Sequence, residues 1–233
     1  MIANRIAVQL QSLAQPFKKA LHTAAGMQAD GVQIDARNDL RPSDISDTGL
    51  RQLRKVLDDL NLTVGSVAFT TRRGYADADD LDRRVEAALA AMRFAARLQA
   101  RTLVITLGAV PDDAAAAALR DVFALFCAAS EKQGVQIAAD VRAVEPPKFA
   151  AAAAEFSAAS LGVDFNPGAL ILHGTRPADF LAELGERVAH VHATDAVRGL
   201  GAPGAAVELG RGTADIPALL GQLEEYNYRG WLT

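Results

Sequence analysis

Short apolar segments rich in β-branched residues alternate with longer amphipathic segments along the whole chain. An unbroken apolar segment such as "TLVIT" is typical of a strand buried on both faces, whereas apolar residues at helical spacing indicate a helix with one buried face. The pattern predicts strands at 5–10, 31–35, 62–69, 102–106, 134–140, 161–165, 188–193 and 230–233. It predicts helices near 16–28, 43–60, 79–99, 112–133, 147–157, 176–185 and 215–226.

Strands that alternate with helices form a parallel sheet covered by helices on both faces. Eight such strands in 233 residues favour a closed (β/α)8 TIM barrel of the α/β class over an open doubly wound sheet. The first turn, "VQLQSLAQP", also lacks the glycine-rich phosphate loop of a dinucleotide-binding fold. No linker composition divides the chain, so we expect residues 1–233 to form a single domain.

The eighth predicted strand ends with the last residue of the sequence. We therefore expect the eighth helix of the barrel to be absent from this chain. The gap that it leaves over the first and last strands favours a homodimer, because an exposed apolar surface is commonly covered by a second copy.

The composition argues against two classes of partner. Acidic residues outnumber basic ones, 28 to 24, and the basic residues are scattered, which argues against nucleic acid as a partner. The N-terminus lacks the pattern of a secretory leader, and no segment reaches the ~18 apolar residues that a membrane span needs. Cys127 is the only cysteine, so an internal disulfide is excluded. We expect a cytoplasmic protein without a membrane partner.

The functional groups of a (β/α)8 barrel lie at the carboxyl ends of its strands, where the loops meet. The predicted strand ends carry an unusually polar set of side chains, including several acids. Such acids serve a site, or they cap the helices that follow. The strand-end residues are Asp35, Arg37, Arg72, Arg73, Thr106, Asp140, Arg142, Asp164, Asn166, His192, Asp195 and Arg198.

The segment "RVAHVHATDA" contains two histidines one residue apart. Side chains alternate along a strand, so His190 and His192 are expected to point to the same face. Three interpretations follow: a metal site, a contact to substrate, or a pair packed in the core. Asp195, three residues on, either orients an imidazole or caps the loop.

Arg37, Arg72, Arg73 and Arg198 follow three different strands, and we expect their guanidinium groups to converge over the barrel mouth. The planar fork of arginine suits phosphate and carboxylate, which predicts an anionic ligand such as a sugar phosphate or a sugar acid. The alternative is that these arginines pair with acids of their own loops. The segment "LGRGT", which contains Arg211, adds two glycines whose backbone amides could contact the same ligand.

Four longer segments resemble the xylose isomerase-like TIM-barrel family, which includes sugar phosphate isomerases and epimerases and an apurinic endonuclease branch. They are "MQADGVQIDARNDLRP", "VDFNPGALILHG", "HVHATDAVRG" and "ELGRGTADIPALLGQLEEYNYRGWLT". The resemblance covers nearly the whole chain, and its most specific parts are the His-x-His-x-x-Asp segment and the Gly-x-Gly-x-x-Asp segment before "YRGW".

The resemblance implies a divalent metal (Mn, Mg, Co or Zn) in the barrel mouth. In this family a glutamate, an aspartate, a histidine and a second glutamate hold the metal, one after each of the last four strands. The metal polarises a carbonyl while a carboxylate moves a proton through an enediolate. The positions that match are Asp140, Asn166 and His192, and the position of the last glutamate lies beyond Thr233.

This sequence departs from the family pattern at two of those positions, where Asp140 replaces glutamate and Asn166 replaces aspartate. The resemblance predicts a sugar or sugar-phosphate isomerase or epimerase, and the departures leave a second prediction open: a carbohydrate-binding or scaffold barrel without catalysis. Four histidines cannot supply the three-zinc endonuclease site. The predicted roles are: catalytic, Asp140 and His192; metal, Asp140, Asn166 and His192; substrate-binding, Asp35, Arg37, Arg72, Arg73, Arg142, Asp195, Arg198 and Arg211.

Overall fold

The computed structural model describes residues 5–112, 115–199 and 204–233, and its centre is a closed barrel of eight parallel strands. The barrel strands are β1 Arg5–Gln9, β2 Gly31–Asp35, β3 Thr63–Phe69, β4 Thr102–Thr106, β5 Gln136–Asp140, β6 Leu161–Phe165, β7 Val188–Val191 and β10 Trp231–Leu232. A separate antiparallel hairpin is formed by β8 Asp195–Val197 and β9 Ala205–Val207. Strand β10 closes the barrel between β7 and β1.

Helices connect the barrel strands and confirm the predicted (β/α)8 TIM barrel. The helices are α1 Phe17–Gly26, α2 Asp47–Asp59, α3 Leu81–Arg97, α4 Ala115–Gln133, α5 Pro146–Ala152, α6 Pro167–His173, α7 Pro177–Leu184 and α8 Ile216–Glu225. Residues 113 and 114 of the predicted fourth helix lie outside the described residues. Helix α8 precedes β10, and in the described residues no helix follows β10, as predicted.

The strands carry different side chains on their two faces because alternate residues point to opposite sides. Leu103 of β4 and Ile137 of β5 point outward and pack with the helices in the main core. The inward positions beside them are small: Ala68, Val104 and Ala138 contact one another in a second buried cluster. One wall of the barrel interior is therefore apolar, which leaves the interior polar groups to come from other strands.

Two glycines make room for the side chain that closes the barrel. A Cβ atom at Gly65 would lie 2.7 Å from the Trp231 ring, and one at Gly31 would lie 2.9 Å from it. The guanidinium of Arg5 covers the same ring at 4.3 Å from the ring centroid, a cation–π contact. Trp231 is buried.

Helix α6 and the β8–β9 hairpin are two elements that the hydrophobic pattern did not predict. Helix α6 has seven residues and packs against β8. The contact is close, because a Cβ atom at Gly168 would lie 2.7 Å from the Thr194 hydroxyl. None of the helices in the described part of the chain has both the length and the apolar surface that crossing a bilayer requires.

Candidate active site

A buried carboxylate between two imidazoles occupies the polar side of the barrel interior. Asp164 of β6 accepts hydrogen bonds from Nδ1 of His190 at 2.7 Å and from Nδ1 of His192 at 2.8 Å. The side chains of Asp164 and His190 are 0% and 1% exposed, whereas that of His192 is 11% exposed. The two histidines share one face, as predicted from the strand alternation. His192 is the member of the cluster that reaches the surface.

The outer nitrogens of both imidazoles contact side chains from across the barrel. Nε2 of His192 lies 3.1 Å from Oε1 of Gln33 on β2. Nε2 of His190 lies 3.1 Å from the Ser66 hydroxyl and 2.9 Å from the Thr233 hydroxyl. Oε1 of Gln33 is an acceptor because the Gln33 amide nitrogen donates to Ser66 at 2.9 Å. His192 therefore donates from both of its nitrogens.

These contacts give the cluster a balanced charge. Burial opposes ionisation of Asp164, but the two imidazoles outweigh it and hold the pKa of this carboxyl well below its usual range. Burial also disfavours the charged form of His192, yet the Asp164 carboxylate raises the pKa of this imidazole above its usual value. Burial lowers the pKa of His190, which stays neutral. Protonation of His192 pairs one anion with one cation, the arrangement in which buried charges are tolerated.

Asp140 lies beside His192 at the end of β5, and an arginine holds it. The Arg142 guanidinium donates from Nε to both Asp140 oxygens, at 2.9 Å and 2.7 Å, and its Nη2 also contacts the carboxylate. Hydrogen bonding to Asp140 raises the pKa of Arg142 further above its usual value. The Asp140 carboxylate in turn adds to the raised pKa of His192. The predicted catalytic pair, Asp140 and His192, is therefore adjacent at the mouth.

Asn166 and Asp195 have partners that hold the backbone in place. The Oδ1 atom of Asn166 accepts from the Ala169 amide at 3.0 Å, which caps helix α6, and from the Thr194 hydroxyl at 2.6 Å. The Asp195 carboxylate, fully buried, accepts four backbone N–H groups, those of Ala196, Gly210, Gly212 and Ala214. Burial opposes its ionisation, but these donors lower the pKa of Asp195 below its usual value.

Of the two interpretations of Asp195, the contacts match the loop cap, because its carboxylate orients no imidazole. Asp35 has a similar arrangement: its Oδ1 atom accepts the Arg37 and Asn38 amides at 2.8 Å, and its Oδ2 atom lies 3.3 Å from the Thr70 hydroxyl. The roles of both acids in substrate binding stay predictions.

The four arginines expected over the mouth fall into two groups. Arg37, Arg72 and Arg73 line one cavity beside the ends of β2 and β3. Arg198 lines another, between helices α6, α7 and α8. Arg211 is exposed, and its backbone N–H donates to Glu208. The structure thus brings three of the four together and places them beside the barrel axis.

Comparison of the sequence with protein families gives one match that covers most of the chain. The sequence profile described as "Xylose isomerase-like TIM barrel" matches residues 21–233. The chain belongs to the xylose isomerase-like TIM barrel family. This confirms the resemblance that the four sequence segments indicate. No curated protein matches the sequence.

Solved structures of this fold align with nearly the whole of this family member. A xylose isomerase domain protein from Planctomyces limnophilus aligns with a TM-score of 0.83 and 20% identity over 91% of this chain and 82% of its own. A xylose isomerase-like TIM barrel protein from Mycobacterium smegmatis in complex with magnesium aligns with a TM-score of 0.77 and 16% identity, over 98% of this chain and 88% of its own. D-allulose 3-epimerase from Methylomonas sp. in complex with D-allulose aligns with a TM-score of 0.75 and 16% identity, over 100% of this chain and 84% of its own. At these identities the likeness shows the shared fold.

A divalent ion was predicted for this family member, and the described residues offer one group of donors for it. The donor atoms of Asp164, His190 and His192 lie within 4.8 Å of one another, and two imidazoles with a carboxylate suit divalent metals. As hydrogen-bonded here the group does not fit an ion, because both Nδ1 atoms donate to Asp164. The Nε2 atoms, which would then have to ligate, already contact Gln33, Ser66 and Thr233. The other two predicted metal ligands also have partners already: the Asp140 carboxylate pairs with the Arg142 guanidinium, and the Asn166 side chain caps helix α6.

Four members of the buried network were given no predicted role: Gln33, Ser66, Thr233 and Asp164, the last of which was named only as a strand-end residue. Asp164 was visible as an acid inside an apolar strand, and Gln33 as an amide inside "GVQID". A polar side chain in such a strand indicates an inward position with a partner. Ser66 had no comparable signal, since serine is common in buried strands without a role.

Proposed function

We propose that this protein binds a small sugar or sugar acid in the carboxyl-terminal mouth of the barrel and moves a proton on it, as an isomerase or epimerase. The observation that carries the proposal is the position of His192. A buried carboxylate raises the pKa of this imidazole, which is the most exposed part of the cluster and lies near a second carboxylate. A titratable group with a shifted pKa that lies near a second titratable group is typical of catalytic sites.

The two predicted catalytic residues have complementary roles. Asp140 accepts the proton from the carbon next to the sugar carbonyl, and the carbon–hydrogen electron pair becomes the double bond of an enediol. His192 gives its proton to the carbonyl oxygen. For an isomerisation, Asp140 returns its proton to the neighbouring carbon while the other enediol hydroxyl gives its proton back to His192, which re-forms a carbonyl there. For an epimerisation, the first carbonyl re-forms by returning its hydroxyl proton to His192, while solvent water protonates the original carbon from the opposite face and Asp140 passes its proton to the resulting hydroxide.

Arg142 controls whether Asp140 is available as a base. Its side chain is 41% exposed, so its guanidinium can turn toward a carboxylate or hydroxyl of the bound sugar. That movement frees the Asp140 oxygens. In this proposal Arg142 both recognises the substrate and releases the base.

Two alternatives are kept because specific observations favour them. The short distances among the Asp164, His190 and His192 donor atoms favour a divalent ion, Mn, Mg, Co or Zn, in a state of the protein where the present hydrogen bonds of this group are broken; such an ion would polarise the sugar carbonyl. The capping contacts of Asn166 and the ion pair of Asp140 favour a carbohydrate-binding barrel that performs no chemistry. A cytoplasmic location and a homodimer stay predictions.

Hydrogen exchange tests the proposal. A panel of five- and six-carbon aldoses, ketoses and their acids is incubated with the protein in D2O, and loss of carbon-bound hydrogen next to the carbonyl is followed by proton NMR. We expect exchange with the wild type and a rate lower by about 100-fold or more in His192→Asn. The matched control is His22→Asn, an exposed histidine on α1, which leaves the rate unchanged.

The same panel separates catalysis from binding. A sugar that raises the melting temperature without any hydrogen exchange supports the carbohydrate-binding alternative, because binding to the native state stabilises it by mass action. If no sugar of the panel shows hydrogen exchange and none raises the melting temperature, both the proposed catalysis and the carbohydrate-binding alternative are contradicted.

A further inference from the structure

A cavity of about 570 Å³ lies beside the barrel mouth, between the loops that follow β2 and β3 and the first turns of α3. Its volume is that of a typical pocket for a small ligand. The ends of the two strands, Ala36 and Phe69, form its floor. Six arginines line it: Arg37, Arg41, Arg72, Arg73, Arg83 and Arg84.

Part of the positive charge of this arginine cavity is uncompensated. Arg73 pairs with Asp79 at 2.5 Å and with Asp77 at 3.6 Å. Within the described residues, neither Arg72 nor Arg83 has a carboxylate partner. The one acid in the lining is Asp80, and this excess occurs in a protein whose net charge is −4. Six cations gathered against that average indicate a position for an anion.

Three of the arginines are held in place by backbone carbonyls, which leave their charge unneutralised. Arg37 donates from Nη1 to the Thr70 carbonyl at 3.3 Å, and Arg41 donates from Nε to the Arg37 carbonyl at 3.2 Å. Arg84 donates to the carbonyls of Asp77 and Asp79. A guanidinium anchored in this way is oriented before a ligand arrives, so less side-chain entropy is lost on binding.

One further feature of α3 favours a ligand in the same place. Within the described residues, the buried Nε–H of Arg84 has no hydrogen-bond partner, which is costly unless a ligand satisfies it. The N-terminus of α3 does not add to this attraction, because its N-cap residue Asp80 and its first-turn residue Asp82 are themselves acidic.

We propose that the arginine cavity binds the phosphate group of a small phosphorylated ligand. A phosphate monoester carries close to two charges and three acceptor oxygens, so it can accept hydrogen bonds from two guanidinium groups at once. A single carboxylate offers only two oxygens and one charge. This inference does not rest on proton transfer at His192, since the cavity stands apart from the Asp164 cluster.

Calorimetric titration with inorganic phosphate and with glycerol 3-phosphate tests the proposal on the full chain. We expect one site, with an affinity that falls as salt is added. The double variant Arg72→Ala with Arg83→Ala should weaken binding about tenfold or more, because each charge-assisted hydrogen bond to phosphate is strong. The matched control is Arg93→Ala, also on α3, whose guanidinium is paired with Glu86 at 3.0 Å outside the cavity.

Equal weakening in the control would overturn the proposal, since it would mean attraction by overall charge alone. So would the absence of phosphate binding to the wild type. Repeating the titration with His192→Asn identifies the source of the phosphate group. If the His192 change weakens binding of glycerol 3-phosphate but not of inorganic phosphate, the ligand spans both places; if it weakens neither, the cavity takes a separate phosphorylated molecule.

Discussion

Asp164 holds two imidazoles with a single carboxylate, and its loss should be costly to the fold. Its side chain has no exposure, and both Nδ1 donors depend on it. We predict that Asp164→Asn lowers the free energy of unfolding by about 3 to 5 kcal/mol, because it leaves a buried cation without its partner. Urea denaturation measures the change.

The control for this variant is Asp179→Asn. Asp179 forms an exposed pair with Arg176 at 3.8 Å, and such a pair contributes less than about 1 kcal/mol. Equal effects of the two substitutions would show that the Asp164 cluster is not a charged one.

The protonation of His192 gives the stability a defined pH dependence. Its pKa is raised above 6.5 in the folded protein, so the folded state binds this proton more tightly than the unfolded chain. The resulting stabilisation is complete below pH 6.5 and is lost as the pH rises through the folded-state pKa.

We therefore predict that the stability advantage of the wild type over His192→Asn is largest below neutral pH. It should shrink at higher pH by at most about 1.4 kcal/mol per pH unit. Denaturation at a series of pH values measures it. An advantage that grows as the pH rises would contradict a protonated His192.

Among the elements, helix α6 depends on one side chain at its start. Asn166 accepts the Ala169 amide, so Asn166→Ala should lower the free energy of unfolding by about 1 kcal/mol. Asn166→Asp keeps an acceptor at the same position and should lose much less. Thermal denaturation of the two variants checks the difference. If both are as stable as the wild type, Asn166 is not a structural cap.

The eight barrel strands could be predicted because each is a short segment rich in apolar residues, and most, such as β2 and β6, are buried along their whole length. Helix α6 was missed because seven residues, "PGALILH", are too few to show a helical period. The β8–β9 hairpin was missed because "DAV" and "AAV" carry no alternation, and β9 is largely exposed. Contacts with neighbouring elements, rather than local propensity, define both.

The sequence predicts where the site lies in the fold, but not which of its side chains contact one another. The strand ends place Asp140 and His192 at the mouth, and this follows from the fold class alone. The contact between Gln33 and His192 joins residues 159 apart in the sequence. No pattern along the chain specifies which side chains face each other across a barrel, so the Asp164 cluster required the structure.

The whole molecule depends on how the last strand closes the barrel. Trp231 is the only tryptophan and lies against Gly31 and Gly65. Gly65→Ala would push a methyl group into the Trp231 ring, and we predict a loss of about 1 to 3 kcal/mol together with a shift in tryptophan fluorescence. Gly221→Ala on α8 is the matched control, because nothing lies within 4 Å of its Cβ position. It should stabilise the protein slightly. Equal effects would contradict this account of closure.

The most direct test of the central claim is the rate of hydrogen exchange on a responsive sugar, measured after removal of metal ions by a chelator and again with added Mn²⁺. If His192 and Asp140 move the proton, as proposed, the rate is unchanged by chelation and is lost in His192→Asn. A rate that vanishes on chelation and returns with Mn²⁺ would contradict the claim and assign the chemistry to a divalent ion.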